Sequence, residues 1–336
     1  MAIIHFSKWR LIKIVLVLTA LLVVTLGLAS LVGVETISLK KAFFDSQSVE
    51  HAILFYSRLP RILLGAMVGM ALSACGVSFQ CLLRNPLADP FILGVSGGAA
   101  LGSVLGISLG WSLPWISLLS FLASFFSMML IYWIATTEGR LPVYTLLLTG
   151  VIYNSFTFAV IMLINSLVSF ENAHRIWYLM VGGLAGESYF NIALVSGIVI
   201  FGVLLLFFQT GQMNILALGE ETSAYLGCDP HRVRRNIFFA ASLIIGACVS
   251  VSGLIGFVGL FIPHLMRLWM GSDHRVLLPA SALFGATFLV IADTGARSLF
   301  AGETYSTQLP VGVITALLGG PFFVYLLKRR KKFKLW

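Results

Sequence analysis

Stretches of about 20 mainly apolar residues, the length that crosses a bilayer as a helix, recur along almost the whole chain. They fall at 11–33, 61–82, 91–109, 115–135 and 142–166, then at 190–209, 234–252, 254–270, 276–296 and 309–327. The eighth is the least regular, being short, glycine-rich and interrupted by Pro263. Soluble domains carry about a quarter charged residues, whereas this chain is 59% apolar and 10% charged. So few charges cannot cover a soluble domain of 336 residues, and the solvent for most of the surface is lipid. The expected fold class is an all-α polytopic membrane protein with about ten transmembrane helices. Residues 1–336 are read as one transmembrane domain.

The net charge of +9 raises the question of nucleic acid, but its placement answers it. Lys8, Arg10 and Lys13 open the chain, and Lys328, Arg329, Arg330, Lys331, Lys332 and Lys334 close it, each cluster abutting an apolar run. That is the pattern of cytoplasmic flanks, not of a nucleic-acid surface. With both termini inside, Arg84, Arg140, Arg232, Arg234, Arg235, Arg267 and Arg275 also fall inside, leaving Lys40, Lys41, Arg58, Arg61, Arg175 and Arg297 outside. The asymmetry sets the expected orientation in a cell membrane. The run from Leu11 exceeds the apolar core of a signal peptide, about 7–15 residues, and reads as a retained first helix. Cys75, Cys81, Cys228 and Cys248 show no CxxC and no zinc spacing, and read as packing residues.

Gly65-x3-Gly69, Gly98-x3-Gly102 and Gly102-x3-Gly106 are spacings that let helices approach closely. Three segments lie outside the spans: a polar external loop at 34–57, an external stretch at 167–189 with room for a surface helix, and a cytoplasmic loop at 211–235.

Catalytic signatures are missing. No lysine lies between Lys41 and Lys328, so the chain has no P-loop, and it has no H-E-x-x-H or G-x-S-x-G. Asp293 is the candidate buried acid, and Arg297 four residues on is its expected ion-pair partner. His264, after Pro263, reads as structural, because a lone imidazole is a poor metal site.

One ordered series is more specific. Arg58-Leu-Pro-Arg61 opens the second span; Arg84-Asn-Pro-Leu-Ala-Asp-Pro90 and Gly94-Val-Ser-Gly-Gly98 follow. Then come Leu218-Gly-Glu-Glu221 with Leu226-Gly227, Gly256-Phe-Val-Gly-Leu-Phe-Ile-Pro-His264, Asp273-His-Arg275 and Leu309-Pro-Val-Gly-Val313. This series resembles the FecCD-type permeases of type II ABC importers, which take up iron-siderophore complexes, haem and cobalamin. The resemblance implies that fold, and a homodimer bound to a cytoplasmic ABC ATPase dimer and a periplasmic or lipid-anchored substrate-binding protein. It implies no cofactor on this chain, with ATP and Mg used by the partner ATPase.

Residue by residue, Leu218, Gly219, Glu220, Glu221, Ala224, Leu226 and Gly227 resemble the coupling helix that seats on the ATPase. Read alone, the same stretch is a short helix with acids at its positive end, ended by Gly227 and Asp229-Pro230. Arg58, Arg61 and Arg297 match arginines that meet acidic groups of the binding protein; the alternatives are headgroup snorkelling or, for Arg297, the Asp293 pair. Asn154 and Asn165 share a helix face with Gly150 and are candidates for the translocation path or for a hydrogen bond inside one subunit. Val143 and Tyr144 stand at the inner gate, where the family commonly has small hydroxyl residues, and Gln308 stands where the family has an acid. The function expected is a non-enzymatic importer permease for an iron chelate (siderophore or haem). The alternatives are cobalamin import and, further off, a secondary carrier.

Overall fold

The structure, a computed structural model, describes residues 7–33, 35, 37–184, 186–298 and 309–330, apart from the side chains of residues 39, 325–327, 329 and 330. Gln308 and the tail Lys331, Lys332 and Lys334 lie outside the described residues, as do the Arg329 and Arg330 side chains. The apolar runs form helices: α1 (Lys8–Leu31), α4 (Leu59–Leu82), α5 (Val95–Ser108), α6 (Leu113–Ala135) and α7 (Val143–Leu167). The second set is α9 (Tyr189–Phe208), α12 (Pro230–Ser252), α13 (Val258–Met270), α14 (His274–Ser298) and α15 (Val311–Arg330). Short helices α2 (Leu39–Phe44) and α3 (Val49–Ala52) fall in the loop at 34–57, and α8 (Phe170–Val181) is the surface helix that 167–189 had room for. The loop at 211–235 holds most of α10 (Thr210–Leu216), all of α11 (Glu220–Tyr225) and the first turns of α12.

The irregularities have local causes. Helix α3 passes through a π-helical turn, Ile53–Arg58, into α4 without a break. The third span is split: Asp89 caps a 3₁₀ turn at Pro90–Leu93, Gly94 turns left-handed at φ 90°, and α5 starts at Val95. The eighth span, expected from 254, begins as helix only at Val258. The stretch before it is not helical, with Gly253 at φ 65° and Phe257 at φ 68°, and it bonds sideways: Leu254 N donates to Leu179 O, and Gly183 N to Ser252 O.

Helix α4 is the axis. Of the apolar window in Val49–Leu82, 83% is buried inside the chain, against 17% for α1 and 22% for α7. A helix apolar all round is a core helix, and α4 reaches that position through small residues. A Cβ at Gly69 would overlap the Gly285 carbonyl of α14, and one at Gly76 the Gly259 carbonyl of α13. Helix α5 uses the same device against α6, where a Cβ at Gly102 would lie 2.7 Å from Ala123 Cβ and 2.8 Å from Leu119 O. All four cysteines are free and buried; Cys75 and Cys81 donate weakly to the carbonyls of Ala241 and Met213. Gly102→Val should therefore separate α5 from α6 at an overpacking cost of about 1–3 kcal/mol. A lower thermal midpoint and a smaller monodisperse fraction in detergent check it, with the exposed Gly27→Ala, which meets nothing within 4 Å, as the silent control.

Candidate functional site

The helix ends carrying Arg10, Arg84, Arg140, Arg234, Arg267 and Arg275 gather at one end of the bundle. Arg10 donates to Met270 O at 3.3 Å and Arg267 to Gln80 Oε1 at 2.9 Å. At this end α10 and α11 form a compact corner. Ser223 is buried and its hydroxyl donates to Ile215 O, folding α11 back onto α10. Arg234, 2% exposed, holds Glu220 with a two-pronged fork, Nη1 to Oε1 at 3.1 Å and Nη2 to Oε2 at 3.0 Å. These bonds hold the Glu220 carboxyl below its ordinary range against desolvation, with help from the charges of Arg234, His231 and Arg84. The depressed value means the tie is fully present above the ordinary carboxylate range and is lost as pH falls through the folded value.

A second tie joins the corner to α14. Asn214 Nδ2 donates to Asp273 Oδ1 at 2.7 Å, while Asn214 Oδ1 accepts from His274 N at 2.8 Å and lies 2.7 Å from His274 Nδ1. Asp273 also accepts from Arg275. With the corner fixed on two sides, its outer face presents Leu218, Tyr225 and Leu226, which are 62%, 90% and 58% exposed. Glu221, Ala224 and Gly227 are exposed beside them. Three large apolar side chains on a polar loop form an unpartnered patch. The sequence reading named Leu218, Glu220, Glu221 and Leu226 here but not Tyr225; Asn214 carried no signal, because its partners lie 59 and 60 residues away.

At the opposite end the three candidate docking arginines are buried, not exposed. Arg58 (4% exposed) donates to Ser30 O and Leu31 O at 3.1 Å and to Glu35 O, closing the end of α1. Arg61 Nε lies 3.0 and 2.9 Å from the Asp293 oxygens, and its Nη2 is 2.8 Å from Oδ1. Arg297 Nε is 3.2 Å from Asp293 Oδ2. The Asp293–Arg297 pair is as expected; the closer partner, Arg61, is 232 residues away and was not foreseen. Two buried guanidinium groups thus share one carboxylate, a cluster of net charge +1. Sequence spacing placed these arginines at helix ends, and their burial follows from the carbonyl and carboxylate acceptors folded against them.

The path candidates divide along α7. Tyr144 is 77% exposed and Val143 half-buried at its first turn. Asn154 Nδ2 donates to Phe91 O at 2.8 Å, so its amide is used inside the subunit, yet it also borders an open cavity of about 430 Å³ with Ser155, Thr157, Met180 and Leu254. Asn165 is half-buried, and its Oδ1 has no partner among the described residues. Gly150 lets α7 touch the split third span, since a Cβ there would sit 2.8 Å from Leu93 Cα. His264 stands beside the Phe322 ring, as a packing residue does.

The sequence profile of the FecCD transport family matches residues 9–329. The chain belongs to this family. Among FecCD relatives it is 43% identical to the cobalamin import system permease protein BtuC of Halobacterium salinarum, over 82% of this chain and 73% of that protein. It is 36% identical to the hemin transport system permease protein HmuU of Yersinia pestis, over 82% and 83%. A solved ABC transporter of proposed metal-chelate type, in an inward-facing conformation, superposes with a TM-score of 0.83 at 30% identity, covering 95% of this chain and 99% of that one. The chain is thus a multi-pass ABC-importer permease with the FecCD fold.

Breaking a buried ion pair by removing one partner costs about 3–5 kcal/mol. Asp293→Asn, which removes the carboxylate from two buried guanidinium groups, should therefore cost more than Arg297→Ala, which leaves Arg61 paired with Asp293. Chemical or thermal unfolding in detergent checks the order; equal losses would show that Arg61 and Asp293 are not the tighter pair.

Proposed function

We propose that this FecCD permease moves a metal chelate inward across the cell membrane of a bacterium or archaeon, as a dimer with a second copy of itself. Both termini are cytoplasmic. The energy comes from a separate ABC ATPase dimer, which uses ATP and Mg; this chain hydrolyses nothing and holds no cofactor. The observation that carries the reading is the α10–α11 corner. It offers Leu218, Tyr225 and Leu226 to a partner while being tied to α12 through Arg234 and to α14 through Asp273. A load placed on the corner passes directly into the core helices. Helix α7, with 22% of its window buried, is the loosely held wall beside the polar cavity, and Val143, Tyr144, Asn154 and Asn165 mark the translocation path along it. At the outer end, the net positive charge of Arg61, Asp293 and Arg297, with Arg58 nearby, provides the field that draws an acidic surface of a periplasmic or lipid-anchored substrate-binding protein.

The substrate class is an iron chelate, a siderophore or haem, a reading supported by the hemin relative. Cobalamin is the second reading, because the cobalamin permease shares 43% identity with this chain. Uptake of ferric siderophore, haem and cobalamin by proteoliposomes with the cognate ATPase and binding protein separates the two.

Glu221→Ala with Leu226→Lys should abolish substrate-stimulated ATP hydrolysis in those proteoliposomes while insertion and dimerisation persist. Uptake that continues without any ATPase would instead make the chain a secondary carrier. Topology has its own check: in a cysteine-free background, a cysteine at Ser46 should react with an impermeant maleimide from outside and one at Thr222 only from inside. Thr222 is the better probe of this loop, since Ser223 beside it is buried. External labelling at Thr222 would reverse the orientation.

A further inference from the structure

The same end of the bundle holds a cavity whose basic side chains the coupling and path assignments do not use, although Glu220, Val143 and Tyr144 also line it. It opens where α4 ends, α7 begins and α11 meets α12, has a volume of about 470 Å³, and is lined by Arg84, Arg140, Arg234 and His231 with one carboxylate, Glu220. Glu220 takes up the terminal nitrogens of Arg234 but not its Nε, which is buried without a partner, as is His231 Nδ1. Arg84 and Arg140 are exposed, and their guanidinium groups donate to no described residue. Three arginines against one acid leave the cavity with a charge of +2 before His231 is counted. Arginine forks match the oxygens of phosphate and carboxylate.

Two further observations point to phosphate at a membrane surface. Trp133 on the last turn of α6, just ahead of the 136–142 loop that carries Arg140, is 76% exposed. Exposed aromatic rings at the ends of spanning helices mark the headgroup level of a bilayer. Arg84 also occupies the left-handed position that ends α4, at φ 48°, where glycine is the ordinary residue. An arginine stands there, at the rim of the cavity, against the local backbone preference.

We propose that this cavity is an anion site for a phosphate group, supplied by the headgroup of a membrane phospholipid or by free phosphate. Arg84 and Arg140 close on the phosphate oxygens from the rim, and the Arg234 Nε and His231 supply donors from the floor.

The test uses the purified full chain in detergent, with inorganic phosphate replacing chloride at constant ionic strength. A ligand that binds only the folded form raises the thermal midpoint with dose. The wild type should show this saturable rise, and Arg84→Gly with Arg140→Gln should weaken apparent phosphate affinity by about tenfold or more. Glycine suits the Arg84 backbone, so the double variant folds. Lys13→Gln with Arg235→Gln removes the same charge from the same end, outside the cavity, and should leave phosphate binding intact. In mixed micelles of phosphatidylglycerol and phosphatidylcholine, wild-type enrichment of phosphatidylglycerol that phosphate displaces identifies the headgroup as the source. Phosphate binding without enrichment identifies free phosphate, and the site stands in either case. The proposal is overturned if the wild type shows neither effect, or if the two double variants lose binding equally. It is also overturned if Arg84→Gly with Arg140→Gln changes only the affinity for the ATPase, which would make the cavity a seat for a protein carboxylate.

Discussion

The close approach of α4 to α13 and α14 is the constraint on which the rest of the structure depends. In lipid there is no hydrophobic force between helices, so association rests on packing and interhelical polar contacts. Gly69 against the Gly285 carbonyl and Gly76 against the Gly259 carbonyl permit backbone contact through the middle of α4. Only because that contact is made can Arg61 reach Asp293 at one end and Gln80 reach Arg267 at the other. Larger residues at those glycines would move both polar ties out of hydrogen-bond range.

Helix α14 is fixed at both ends by carboxylates. Asp273, with Asn214, ties it to the α10–α11 corner, and Asp293 ties it to α4 through Arg61. The corner is further pinned to α12 by the Glu220–Arg234 fork. Corner, α4, α12 and α14 therefore form one body, in which a displacement at the corner cannot be absorbed locally. Helix α7 lies outside that body. Its contacts with the split third span run through Gly150 and the Asn154 amide, and most of its remaining surface is unburied. On the proposed function, the subunit divides into a transmitter and a movable wall beside the polar cavity.

Much of the fold was legible because lipid imposes a simple rule: every backbone polar group on a span must be satisfied within it. Apolar length alone therefore located α1, α6, α7, α9 and α14. The rule fails where backbone groups find partners inside the protein. Leu254 to Phe257 counted as helix by hydropathy but is not helical, because Leu254 N finds Leu179 O on α8. For the site, the Asp293–Arg297 pair and the short helix opened by Glu220 and Glu221 follow from spacing within a few residues. Long-range partners did not, since nothing in the vicinity of Asn214 or Arg61 announces Asp273 or Asp293. Burial of Arg58 was equally unreadable, as its acceptors are carbonyls of the α1 terminus rather than side chains.

The division into transmitter and wall is most directly tested by distances measured across it. Spin labels at Thr222 on the corner, Ser272 before α14 and Tyr144 on α7 can be paired in the assembled transporter, with pulsed EPR recorded in nucleotide-free and ATP-trapped states. The account predicts that the Thr222–Ser272 distance stays fixed while the Thr222–Tyr144 distribution shifts when ATP binds. A Thr222–Ser272 distance that changes with nucleotide, beside an unchanged Thr222–Tyr144 distance, would contradict it.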